Sequence, residues 1–267
     1  MGNFFKWLFE HTGWLYTKIC ENNLFFIDYW TFPHLWSGLV VFFLLAALGW
    51  KRKFLWLFVF ITLYEVVEIL LEIFALHIFK PEIIKDKLTD IFTGAIGGLI
   101  AWVILRWKPK QENPNWFVRN TPALFSSGTL SFLWVGSYQY KYNIEWMNFP
   151  GLNLWAFLLW MSGGFIFLKI YLYLRRTAGR KYRGMLLAWL IYFLLLLVIE
   201  FVGYQILQIR ETSIHVKQPL VFGLIHGSAG LHIYYLIFPF LIILFHETQL
   251  KVIAKARLNM SDPSGKG

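Results

Sequence analysis

Three glutamates interrupt an otherwise apolar run, Leu63-Tyr64-Glu65-Val66-Val67-Glu68-Ile69-Leu70-Leu71-Glu72. Their spacing of i, i+3 and i+7 puts them within about 60° on one helix face, at about 100° per residue. Three carboxylates so placed repel one another when ionised, so some must hold protons or a cation must compensate them. One buried glutamate is explained by a hydrogen bond across a helix bundle. Three on one face point to chemistry: general acid and base, or a divalent cation held against a phosphate.

Further groups of this kind follow. Asp86 and Asp90 lie one turn apart in Lys85-Asp86-Lys87-Leu88-Thr89-Asp90, and Thr93 and Gly97 continue their stripe. Small residues there let a neighbouring helix approach closely. Asp86 can also be read as a solvated group at a helix N-terminus. Glu200 falls in Val198-Ile199-Glu200-Phe201, with Arg210, Glu211 and His215 beyond it. His226 borders a stripe of small residues, Gly223, Gly227 and Gly230, whereas His232 points away from it. Six residues separate the two histidines, which makes them a poor metal pair on one helix, and a lone histidine in a span is also explained as a hydrogen-bonded core residue. His34 opens the first long apolar segment. The candidate catalytic residues are therefore Glu65, Glu68, Glu72, Asp86, Asp90, Glu200 and His226. The candidate metal ligands are His34, Glu68, Asp90 and His226, with a divalent cation as the cofactor.

The elements that must position these groups are long apolar helices. Hydrophobic residues make up 58% of the 267 residues and charged residues 15%. Apolar stretches recur at the length of about 20 residues that a bilayer core requires. The chain reads as an all-α, polytopic transmembrane bundle of about seven spans, near 33–50, 54–79, 88–107, 122–140, 152–174, 184–208 and 219–246. Ser126, Ser127, Gly128 and Ser131 make the fourth the weakest. One transmembrane domain covers 1–260. Its first 30 residues mix Lys6, Glu10 and Lys18 with aromatic residues, the pattern of an interfacial amphipathic helix. The tail 261–267 reads as disordered.

Counting Lys and Arg by side gives 16 on one and 8 on the other, with Lys169 left over near the end of the fifth span, where it can snorkel. The richer side should be cytoplasmic, which places the N-terminus outside and the C-terminus inside. His34, Glu68, Glu72, Asp86, Asp90, Glu200 and His226 then gather toward the outer leaflet as one outward-facing site. Charges within a span are costly and mark functional positions.

The formal net charge of +10 is accounted for by short basic loops and does not argue for nucleic acid as a partner. A single cysteine, Cys20, rules out an intrachain disulfide. The chain carries no phosphate-binding Gly-rich loop, nucleophile elbow, His-Glu-x-x-His motif or dinucleotide fingerprint.

The run from His34 to Gly98 resembles the VanZ-like and YjdF-like membrane proteins. The matching residues are His34-Leu35-Trp36-Ser37-Gly38, Tyr64-Glu65 with Glu68, and Asp86 with Asp90 before Gly94 and Gly97. They span about a quarter of the chain. Thr93-Gly94 stands where that family usually has an asparagine near the aspartates. The resemblance implies an envelope protein of the bacterial cytoplasmic (inner) membrane, linked in some members to glycopeptide resistance, without an established reaction. The function expected is action on, or binding of, a lipid or lipid-linked cell-envelope substrate, with membrane lipid as partner. The alternatives are an ion- or proton-coupled transporter or channel, and a non-catalytic subunit of a membrane complex.

Overall fold

The computed structural model describes residues 12–22, 25–74, 84–106, 116–177, 181–212 and 227–261. Their regular elements are helices apart from one short hairpin. The α-helices are α1 (Thr31–Ala47), α2 (Lys53–Phe74), α3 (Ile84–Arg106), α4 (Trp116–Tyr138), α5 (Leu154–Thr177), α6 (Lys181–Phe201) and α7 (Ala229–Ser261). Four segments are long and apolar enough to cross a membrane: Ile84–Arg106, Leu154–Thr177, Tyr182–Ile206 and Gly230–Met260. Large apolar side chains stay exposed on the outward faces, among them Leu55, Phe58 and Leu63 of α2 and Leu186, Leu194 and Val198 of α6. An apolar exterior of this kind suits hydrocarbon, not water, so the protein is membrane-embedded.

The residues that read as one membrane domain pack as two compact units, Met1–Pro114 with Thr248–Gly267, and Asn115–Glu247. In the first, strands β1 (Lys18–Glu21) and β2 (Phe26–Asp28) pair antiparallel. Residues 1–11, which carry most of the expected amphipathic segment, lie outside the described residues. In the hairpin, the Asn22 side chain accepts the Phe25 amide at 2.7 Å. Asp28 then caps α1, since its carboxylate accepts the Thr31 amide at 3.2 Å while the Thr31 hydroxyl accepts the Asp28 amide at 3.3 Å. The other end of α1 closes in a Schellman turn. The Trp50 amide bonds Leu45 O and the Gly49 amide bonds Ala46 O, with Gly49 at φ +74. Asn259 of α7 donates to Ala47 O at 2.8 Å in the same unit.

Glycine sets the packing of this unit. A Cβ on Gly38 would collide with the Gly94 carbonyl, and one on Gly97 with the Leu35 carbonyl. Helices α1 and α3 thus touch backbone to backbone, as small residues allow. Helix α2 packs on the same stripe: a Cβ on Gly98 would strike Leu57, and one on Gly94 would meet Ile61 Cδ1 at 2.9 Å.

The second unit centres on Phe167, Leu168 and Tyr171 of α5, Ala188 of α6, and Tyr234, Phe238 and Ile242 of α7. Trp134 of α4 stacks on Tyr234 with ring centroids 3.7 Å apart. Lys169 donates to Asn120 Oδ1 at 2.8 Å, an acceptor within the unit that complements the snorkelling expected from its position. Helix α7 begins at Ala229 and runs to Ser261; residues 219–226 of the expected span lie outside the described residues. Gly227 at φ +111 turns the chain and Ser228 Oγ accepts the Leu231 amide at 3.2 Å, which caps the helix there.

Candidate functional site

Helix register in the first unit carries three ionisable groups to one place. His34 lies one turn before Gly38 on α1. Asp90 lies one turn before Gly94 on α3. Glu65 lies one turn after Ile61 on α2, which runs antiparallel to α3. The same glycine contacts that join the helices therefore bring these side chains together one turn further along. One ligand-type atom from each of His34, Glu65 and Asp90 lies within 4.8 Å of the other two. His34 Nδ1 is 3.5 Å from Glu65 Oε1, and His34 Nε2 is 3.5 Å from Asp90 Oδ2. All three residues are buried, at 6%, 3% and 1% exposure.

Aromatic residues surround the histidine. The Trp30 ring centroid is 6.0 Å from that of His34, and Tyr64 meets the imidazole edge-on at 5.6 Å. Trp30, Pro33, His34, Ser37, Val41, Phe60, Ile61 and Tyr64 line a cavity of about 250 Å³. The indole N–H of Trp30 is buried and has no acceptor among the described residues. The cavity thus offers a donor beside the histidine.

The hairpin is tied to the start of α3 next to this site. The Phe26 amide donates to Thr89 Oγ1 at 3.3 Å, and Lys85 Nζ donates to Glu21 Oε1 at 2.6 Å and to Asn22 O at 3.0 Å. Glu21 is exposed, and its bonds to Lys85, then Lys18, hold its carboxyl below the usual range.

Of the residues singled out in the sequence, the structure joins His34, Glu65 and Asp90. Glu68 and Asp86 are buried as well, each 4% exposed, and lie three residues after Glu65 and four before Asp90, outside the group of three. Burial of Asp86 replaces the solvated helix-start reading. Glu65, not Glu68, is the α2 carboxylate beside His34. Glu200 lies in the second unit, where it accepts a 2.6 Å hydrogen bond from the Tyr235 hydroxyl. The side chain of Glu72 and the whole of His226 and His215 lie outside the described residues. His232 is half-buried, and its ring nitrogens have no partner among the described residues. Sequence reasoning missed Trp30 as a cavity wall and Asp28 as the cap that fixes the start of α1. The Asp28-x-x-Thr31 spacing was the available signal for the latter.

The arrangement can do two kinds of chemistry. An imidazole with a carboxylate on either side can pass a proton between them. One nitrogen and two carboxylate oxygens are also a donor set that suits zinc, manganese or iron. Metal bonds of about 2.0–2.2 Å would draw these atoms together by roughly 1 Å from their present spread. Burying several carboxylates in one small unit is costly unless cations or protons offset them. No known protein family, curated protein or solved structure matches the chain.

Proposed function

We propose that this protein binds a divalent cation at His34, Glu65 and Asp90 and acts there on the phosphate of a lipid or lipid-linked cell-envelope substrate. The observation that carries the proposal is the convergence of three buried ligand-type side chains, from three different helices, within 4.8 Å. In this reading the cation neutralises the phosphate, and the neighbouring Glu68 and Asp86 set the charge of the site. The cavity beside His34 receives the headgroup. Seven spans, an external N-terminus and a cytoplasmic C-terminus complete the proposal. The apolar helices and the 16-to-8 division of Lys and Arg support that topology. It opens the site toward the outer leaflet of a bacterial cytoplasmic membrane, in keeping with the VanZ-like resemblance of residues His34 to Gly98.

The test is metal analysis of purified protein, stripped with chelator and reloaded with Zn²⁺ or Mn²⁺, beside turnover on vesicles carrying phospholipid or polyprenyl-linked phosphate. Wild-type protein should bind one cation per chain. His34→Ala, Glu65→Gln and Asp90→Asn should each weaken binding by more than the roughly 10–100-fold typical of an outer hydrogen-bond partner, and should abolish turnover. Unchanged metal affinity in all three folded variants would refute the proposal.

A second reading is favoured by one detail: the two ring nitrogens of His34 face different carboxylates, each at 3.5 Å. That is the form of a proton relay in a coupled carrier. Proton-driven flux in proteoliposomes, lost in His34→Ala and indifferent to chelator, would select it over the cation site.

A further inference from the structure

The second unit holds a separate cavity of about 320 Å³, at the lower end of the range of roughly 300–1,000 Å³ for small-molecule sites. Its wall is made by α5, α6, α7 and the loop after α4. Most of that wall is apolar, including Phe167, Leu196, Leu231 and Phe238. One end differs. Tyr142, Tyr204, Tyr235 and Trp160 gather there with Glu200 and Glu211, and among the described residues the lining contains no Lys, Arg or His.

Several features fix this polar end. Tyr235 donates to Glu200 Oε1 at 2.6 Å. Glu211 is 7% exposed and its amide donates to Tyr204 at 3.3 Å. A backbone bridge pairs Tyr142 with Glu211, and Asn143 and Arg210 exchange bonds beside it, Asn143 N to Arg210 O at 2.9 Å and Arg210 N to Asn143 Oδ1 at 2.8 Å. The chain after Glu200 winds as a π-helix over Val202–Ile206, a geometry that recurs at functional sites. Burial, then the Glu211 charge, raises the Tyr142 hydroxyl above its ordinary range, so it stays neutral. Tyr192 lines the cavity, and its buried hydroxyl has no partner among the described residues.

The other end opens sideways. Leu159 and Ile166 of α5 and Leu195 and Ile199 of α6 line the cavity and are also exposed on the outer face of the unit. In a bilayer these residues face hydrocarbon. A ligand can enter from the membrane, apolar part last.

Aromatic faces attract a cation, more strongly where water is excluded, and a buried carboxylate such as Glu211 favours a positive partner. We infer that this cavity binds a lipophilic organic cation, a positive head on an apolar body, with the head against Glu200 and the tyrosines and the body toward Leu159 and Ile199. The head can belong to an aminolipid or to a free hydrophobic cation. This inference stands apart from the His34 centre and does not rest on it.

The test has two arms on detergent-purified full-length protein. Native mass spectrometry compares retention of phosphatidylethanolamine with phosphatidylglycerol of the same chains. Equilibrium binding uses radiolabelled tetraphenylphosphonium. Wild-type protein should retain the aminolipid preferentially, bind the phosphonium, or both; the first alone assigns the lipid source and the second alone the free cation. Glu200→Gln should weaken whichever binding is seen by roughly tenfold or more. Leu159→Trp, which narrows the side opening without touching a charge, should weaken it too and keeps the test decisive where Glu200→Gln fails to fold. Equal retention of the two lipids with no phosphonium binding overturns the inference. So does wild-type affinity in folded Glu200→Gln, or in folded Leu159→Trp where Glu200→Gln does not fold.

Discussion

Gly38→Ala adds one methyl group and should disable a site that glycine never touches. The new Cβ would overlap the Gly94 carbonyl, and ordinary contact requires α1 and α3 to separate by roughly 1.5 Å at that point. Both are rigid helices and His34 and Asp90 sit one turn away, so most of the displacement reaches them. The 3.5 Å gap between His34 Nε2 and Asp90 Oδ2 would open to roughly 5 Å, beyond hydrogen bonding and beyond a shared cation. Overpacking of this kind costs about 1–3 kcal/mol, which leaves room for a folded but inactive protein. The assay pairs thermal unfolding in detergent with cation binding. The control is Gly163→Ala on α5, where a Cβ meets nothing within 4 Å and alanine gains up to about 1 kcal/mol of helix propensity. Gly38→Ala should unfold earlier and lose the cation, while Gly163→Ala should be as stable as wild type or more so. Wild-type cation affinity in Gly38→Ala would refute the claim that glycine packing sets the geometry of the site.

Cys20 is the single cysteine and is exposed on the hairpin, so a membrane-impermeant maleimide should label it in intact cells; labelling only after lysis would reverse the proposed orientation. The lowered carboxyl of Glu21 sets a sign: its bonds to Lys85 and Lys18 hold fully above the ordinary value of 4.5 and are lost as pH falls through the lowered folded value. Protection factors of the hairpin amides, with the intrinsic pH dependence of exchange removed, should therefore fall below pH 4.5 in wild type, and Glu21→Gln should show lower protection at neutral pH with a flatter profile. Ser228→Ala removes the cap on the Leu231 amide and should cost about 1 kcal/mol, read as a lower melting temperature with exchange quickened in the first turn of α7.

Much of this fold could be read from apolar run lengths, because a membrane demands about 20 residues per crossing and the sequence shows where they are. The hairpin could not, since Phe, Trp and Tyr suit a strand, an interfacial helix or a belt equally, and the deciding bonds run from Phe26 and Glu21 to Thr89 and Lys85, over 60 residues away. The start of α7 turned on one positive-φ glycine, Gly227, amid a glycine-rich stretch where periodicity offers no guide. The site was legible as residue types and faces: His34, Asp90 and the glutamate stripe. Which glutamate meets the histidine was not, because Glu65 and Glu68 differ by less than a turn. The choice rests on Ile61 and Leu57 seating against Gly94 and Gly98, a packing fact that exists only between helices.

Helix α1 has only 17 residues, about 25 Å at a rise of about 1.5 Å each, against a hydrocarbon thickness of about 30 Å. On the proposed topology the bilayer around it must thin to meet its ends, or α1 must borrow length from the polar hairpin before it and the Schellman turn after it. Where the bilayer thins, the plane of lipid phosphates dips toward His34, which sits in the first turn of that helix. The hydrophobic mismatch would bring substrate down to a buried centre without any side chain having to rise, and it would make activity depend on the acyl-chain length of the surrounding lipid.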